Sequence, residues 1–365
     1  MINNLDRQRK DWPALSVIKF VCVAVMIFVH AHMALVTEGF AIADTTFFYK
    51  ATSNLMFLSL FLFALPIIAG FILRVDFDEY FVGGKLRNYS FKKIIKVAIF
   101  LVVVGFFMNL FTAGARYLFS WNILQLIGLS FVIITALLKM FSTRAVFWLG
   151  TIILFAAEPL RNFLGSFDHF YFVGVLIGGD KGFMFWPFFP WFSVIAFGFL
   201  FAHFYLKHQD SRKFKVGALA VGLAFLAVAI FRNEISPYLN PTYVWGLSIF
   251  QPKIGLVLAS MGFFCVLTVL SNFFFNNIHL KKYGIVNSYS KGVLWIYVIL
   301  MFVSYRTSFI IKRFFPMNEP SFAYFILPVS MILLGWLVGA LSIKLLREKL
   351  IVVKLKKLDE KKSFF

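Results

Sequence analysis

Of 365 residues, 61% are hydrophobic and only 14% are charged, and the mean hydropathy is +0.85, so a water-soluble domain of this size would lack the polar groups to cover its surface. The formal charge of +20 does not mark a nucleic-acid-binding protein, because Lys and Arg fall between apolar runs and not in one stripe or tail with interleaved aromatics. That placement is the positive-inside pattern of a membrane protein, which sets orientation and is silent on substrate.

The opening MINNLDRQRKDWP is too polar, and the apolar run behind it too long, for a cleaved signal peptide. The first span is therefore expected to stay in the mature chain. Apolar runs long enough to cross roughly 30 Å of hydrocarbon at about 1.5 Å per residue extend over 14–36, 54–74, 94–113, 121–140, 145–163, 187–207, 214–232, 253–275, 289–309 and 322–346. They predict an all-α, polytopic membrane protein with about ten transmembrane helices and both termini cytoplasmic. Residues 1–346 read as one membrane domain. The tail at 347–365, REKLIVVKLKKLDEKK and the last residues, reads as a basic amphipathic helix on an anionic inner leaflet.

Even connections carry the positive charge: Arg87, Lys92 and Lys93; Lys139 and Arg144; Lys207, Arg212, Lys213 and Lys215; Lys281 and Lys282. Odd connections are mixed or acidic, with Glu38, Asp44, Asp168 and Asp180, except the ninth, which holds Arg306, Lys312 and Arg313. The stretch GSFDHFYFVGVLIGGDKGFMFWPFFPW at 165–191 is Gly-rich and aromatic, and a segment of this kind on the outer side can dip back into the bilayer. Cys22 and Cys265 each sit inside an apolar run and act as small hydrophobes, giving neither a disulfide framework nor a zinc site. GxxxxGK[ST], HExxH, CxxC and GxSxG are absent, so nucleotide hydrolysis, zinc proteolysis and elbow-type serine hydrolysis have no anchor, and no metal is expected.

An ionisable group inside a span costs several kcal/mol unless paired or facing a cavity, which makes each one a functional lead. Lys19 and His30 in the first span are eleven residues apart, which returns them to within about 20° of one helix face and separates them by roughly 16 Å. One face thus carries a cation near the cytoplasmic end and an imidazole well above it. A structural histidine bonded between helices is the plain alternative for His30. His32 points roughly 200° away and is the second candidate, with Glu38 the carboxylate that would orient either ring.

The segment KFVCVAVMIFVH at 19–30 resembles the first signature of the membrane acyltransferase-3 superfamily, an Arg followed by ten residues and a His, with Lys19 in the place of the Arg. ALPIIAGFILR at 64–74 resembles the end of that family's second span, and YSFKKIIKVAIF at 89–100 its basic third segment, with Lys93 and Lys96 replacing arginines. WNILQLIGLSFVI at 121–133, FFPWFSVIAFGFLFA at 188–202 and YSKGVLWIYVIL at 289–300 look closest to the branch of heparan-α-glucosaminide N-acetyltransferase-like proteins. Leu300 and Met301 stand where that branch usually continues into a His.

The resemblance implies transfer of an acyl group, most simply acetyl, from cytosolic acyl-CoA to a sugar hydroxyl or amine of a glycan or glycolipid across the membrane. A buried neutral imidazole can take the proton from the attacking group, a role preferred for His30 over accepting the acyl group itself. Lys93 and Lys96, with Arg87 and Lys92 just below and Lys19 facing the same vestibule, would hold the CoA phosphates. Lys lacks the fork of Arg, and cations at a cytoplasmic helix end are also what orientation alone requires. Asn109, Trp121, Asn122 and Gln125 are candidates for the acceptor, although amides more commonly bond helix to helix. Glu158 and Arg161 either serve the acceptor or pair with each other. Asp168 lies in the aromatic outer segment, whose rings suit a sugar face or an interfacial belt. His203, His208 and His279 read as solvated boundary residues.

Two other classes stand beside the enzyme. A transporter or flippase for a lipid-linked or small sugar would use Lys19 and His30 as a polar relay, but no pair of inverted repeats with broken helices is evident. A structural membrane partner leaves the intramembrane charges unexplained. The expected partners are membrane lipid and the acceptor, with a homodimer compatible with such a chain. The expected location is a bacterial inner (plasma) membrane.

Overall fold

In the computed structural model the described residues are 13–37, 60–76, 81–82, 85–86, 88–165, 170–178, 186–208, 211–232, 252–275, 284–314, 327, 329–342 and 344. Their helices are α1 (Pro13–Thr37), α2 (Leu60–Asp76), α3 (Asn88–Ala113), α4 (Ile123–Met140), α5 (Thr143–Leu164), α6 (Tyr171–Ile177), α7 (Phe188–His208), α8 (Arg212–Phe231), α9 (Ile254–Phe275) and α10 (Gly284–Phe314), followed by α11 (Val329–Ser342). Between α2 and α3, β1 (Phe81–Val82) pairs antiparallel with β2 (Lys85–Leu86), a local turn that leaves the architecture helical. Each of the ten apolar runs contains a helix. Among the described residues six helices, α3, α4, α5, α7, α8 and α9, are long and apolar enough to cross a membrane, while the apolar parts of α1, α2, α10 and α11 are shorter. α10 continues through Arg306, Lys312 and Arg313, so these cations lie on its last turns and not in a connection.

The chain forms two compact units. In the first, α2 to α9, residues on α2 and α7 meet in rising order. A Cβ on Gly198 would run into the Ile67 carbonyl, and one on Gly70 into the Ile195 carbonyl and within 2.9 Å of the Phe199 nitrogen. Further along, the Phe71 ring lies 5.8 Å from that of Tyr205, and Arg74 reaches His203. Rising matches mean a parallel pair, and bare glycines let the two backbones touch.

α3 and α4 instead run antiparallel. Asn109 bonds to Ser120 and Asn122 near one end, and the Lys139 ammonium sits 4.6 Å over the Phe91 ring at the other. α7 and α8 are antiparallel as well, with ring pairs Phe201–Phe214 at 5.8 Å and Phe197–Phe225 at 6.4 Å. The core is built from large rings, with Phe71, Trp191, Phe192, Phe199 and Phe264 all buried.

These directions give the first unit two ends. A basic end collects Arg74, Lys92, Lys93, Lys96, Lys139, Arg144, Lys207 and Arg212. An aromatic end collects Trp121, Glu158, Arg161, Tyr171, Trp186, Trp191 and Arg232.

The second unit contains α1, α10 and α11. The Ser290 hydroxyl bonds to that of Ser16 at 3.1 Å, and the Phe20 and Tyr289 rings meet edge to face at 5.1 Å. The buried Tyr289 hydroxyl donates to the Ile332 carbonyl at 2.5 Å, which satisfies a polar atom that an apolar interior would otherwise penalise. Gly292 and Gly339 allow α10 and α11 to approach closely.

Candidate functional site

In α1, His30 is half-buried, and its Nδ1–H donates to the Met26 carbonyl one turn back, at 2.8 Å. A carbonyl can only accept, so Nδ1 carries a proton, and in the neutral ring the Nε2 lone pair is left for other use. Lys19 is also half-buried, and Val23 and Met26, which connect the two along one stripe, are buried. The helical backbone at His32 is described, but its side chain is not. Glu38, Arg87 and Asp168 lie outside the described residues.

At the basic end of the first unit, Arg74 is 7% exposed, and its Nε–H donates over a long 3.4 Å to Nδ1 of His203. An accepting Nδ1 puts the His203 proton on Nε2. The expectation that His203 is a solvated boundary residue is thereby corrected: it is half-buried and meets a guanidinium. This pair was missed in the sequence, where Arg74 closes the ALPIIAGFILR motif with no sign of its partner. Lys92, Lys93 and Lys96 are exposed on α3.

The three amides come together near the aromatic end. Asn122 caps α4, its Oδ1 accepting from Leu124 N at 2.9 Å, while its own N–H donates to Gln125 Oε1 at 2.6 Å. Its Nδ2 donates to the Gly105 carbonyl at 3.0 Å and to Asn109 Oδ1 at 2.7 Å. Asn109 Nδ2 donates to the Ser120 and Leu118 carbonyls, and Gln125 Nε2 to that of Ser120. All three residues are buried, and both Nδ2 hydrogens of each Asn are taken up inside the network.

Beside them the half-buried Trp121 donates from Nε1 to the Trp186 carbonyl at 2.8 Å, and the Trp186 and Trp191 rings lie 4.7 Å apart. Tyr171 donates to the Phe119 carbonyl at 2.7 Å, and burial pushes its phenol above the ordinary tyrosine range. Glu158 and Arg161 both serve the start of α9. Glu158 Oε1 accepts from Ile254 N at 3.2 Å, and its Oε2 lies 3.8 Å from Arg232 Nη2. Arg161 donates to the Pro252 carbonyl from both terminal nitrogens and to the Ile177 carbonyl from Nε, each at 3.3 Å. The carboxylate thus meets a helix N-terminus, where its charge is favourable.

Residues 13–240, more than half of the chain, match the family described as heparan-alpha-glucosaminide N-acetyltransferase, catalytic. The chain belongs to that family. No curated protein and no solved structure matches it. Membership in the heparan-alpha-glucosaminide N-acetyltransferase catalytic family makes the protein a transferase of the acetyltransferase kind, and its long apolar helices make it a multi-pass membrane protein. The matched stretch contains α1 with Lys19 and His30, the three amides, and Glu158 with Arg161. α9, α10 and α11 follow beyond it. Among the described residues, no group of three His, Cys, Asp or Glu is arranged to hold a metal ion.

Proposed function

We propose that this protein transfers an acetyl group from acetyl-CoA to an amine or hydroxyl of a sugar-bearing acceptor, with His30 as the general base. The observation that carries this reading is the bond from His30 Nδ1–H to the Met26 carbonyl, inside a stretch that matches an acetyltransferase catalytic family. Nε2 takes the proton of the attacking group as its nitrogen or oxygen bonds to the thioester carbonyl. The carbon–sulfur bond then breaks, and CoA leaves as the thiol or thiolate. The order of the motifs extends the kinship to the wider acyltransferase-3 superfamily.

In this reading the basic end faces the cytoplasm, in keeping with the bias of Lys and Arg. The chain crosses the membrane about ten times, and the negatively charged donor approaches from the cytoplasmic side. Arg74, held by His203, adds to the positive charge of that end. The acceptor belongs to the opposite side, and a bacterial inner membrane is the assigned location.

The test uses the purified full chain in nanodiscs with radiolabelled acetyl-CoA and glucosamine-terminated acceptors. Transfer should occur with the wild type and vanish with His30→Ala while the variant elutes and melts as a folded protein. Saturable sugar flux into liposomes without acetyl-CoA, and no transfer, would replace the enzyme with a carrier.

A further inference from the structure

α3 has two faces. Ile94, Ala98, Leu101, Gly105, Met108 and Asn109 are buried, whereas Ile99, Phe100, Val103, Phe107 and Phe111 are exposed. At about 100° per residue the two sets centre roughly 160° apart. In a membrane the exposed apolar set faces acyl chains. Lys92, Lys93 and Lys96 are also exposed, and the same rotation puts all three within the apolar stripe and not opposite it. Their stems therefore leave the helix on the lipid side, where a long lysine side chain runs along apolar surface and delivers its ammonium to the headgroup level.

Lys139 of α4 stands apart from these three: its ammonium lies 4.6 Å from the Phe91 ring centroid, and the same rotation turns Phe91 to the packed side of α3 with Asn109. From Lys96 to Phe107 the stripe covers eleven residues, roughly 16 Å of rise, close to the ~15 Å of hydrocarbon in one leaflet. A patch with clustered ammonium groups at one end and a leaflet-length apolar track below matches, in charge and length, a phospholipid with an anionic headgroup.

We propose that the outward face of α3 is a binding site for an anionic phospholipid, whose headgroup phosphate meets Lys92, Lys93 and Lys96 and whose acyl chains follow Ile99, Val103 and Phe107. The site recognises lipid in the surrounding leaflet and lies on the opposite side of α3 from its packed face. It rests on the membrane reading and is independent of whether acetyl transfer occurs.

The test is native mass spectrometry of the delipidated full chain titrated with phosphatidylglycerol or with phosphatidylcholine. The wild type should retain phosphatidylglycerol in preference, and each of Lys92→Gln, Lys93→Gln and Lys96→Gln should weaken that preference by about fivefold. The triple Lys→Arg variant keeps the charges and should keep the preference. Lys213→Gln, at the start of α8, should leave it within about twofold, as expected of a cation outside the patch. Equal retention of the two lipids by the wild type, an unaltered preference in the triple Gln variant, or an equal loss with Lys213→Gln would overturn the proposal.

Discussion

Arg74 on α2 and His203 on α7, 129 residues apart in the chain, are joined by a hydrogen bond from Nε to Nδ1 at 3.4 Å. The parallel run of the two helices makes this meeting possible, because it brings their C-terminal turns to the same end. A bond to a guanidinium contributes about 1.5–3 kcal/mol when well made, and its 3.4 Å length puts this one toward the lower value. His203→Phe should therefore lower stability by about 1–2 kcal/mol, read as an earlier midpoint in detergent denaturation. Arg74→Lys should not restore what Arg74→Ala loses, because the ammonium lacks Nε.

His30→Asn separates two roles of one ring. An amide at this position can still donate to the Met26 carbonyl but supplies no base, so stability should stay near wild type while acetyl transfer falls by about 10²–10⁴-fold. Single-turnover assays beside a melting curve measure both. Full activity in the Asn variant would leave His30 a structural residue.

Asn122→Ala removes a helix cap and leaves Asn109 Oδ1 without its donor in a buried place. The expected loss is about 2–3 kcal/mol, with the acceptor KM of the folded fraction unchanged. A KM increase at unaltered stability would instead put the amides on the acceptor.

Gly198→Leu forces a side chain onto the Ile67 carbonyl. Overpacking at a backbone contact should cost about 3 kcal/mol or more, seen as loss of the monodisperse peak in size-exclusion chromatography. Gly217→Leu, where a Cβ meets nothing within 4 Å, should be tolerated.

Where the sequence could be read, the signal was local. Runs drawn at 121–140, 187–207 and 253–275 became helices at 123–140, 188–208 and 254–275, because apolar length alone sets a membrane helix. The eleven-residue step from Lys19 to His30 likewise lies within one helix, and the segments 121–133 and 188–202 pointed to the family that residues 13–240 match. Facing was harder. α3 is apolar nearly all round after Lys96, so no polar side betrays its buried one, and lysines that read as a vestibule lie in the exposed stripe. Glu158 and Arg161, one turn apart, suggested a pair. Each also engages α9 or a neighbouring carbonyl, through partners as distant as Arg232 and Pro252, which no spacing rule reveals.

The bare crossing of α2 and α7 also bears on permeation. Where Gly70 and Gly198 bring main chain against main chain, the gap is too small for even a water molecule, so this seam is a watertight weld. Any polar route along the first unit must therefore go around that weld.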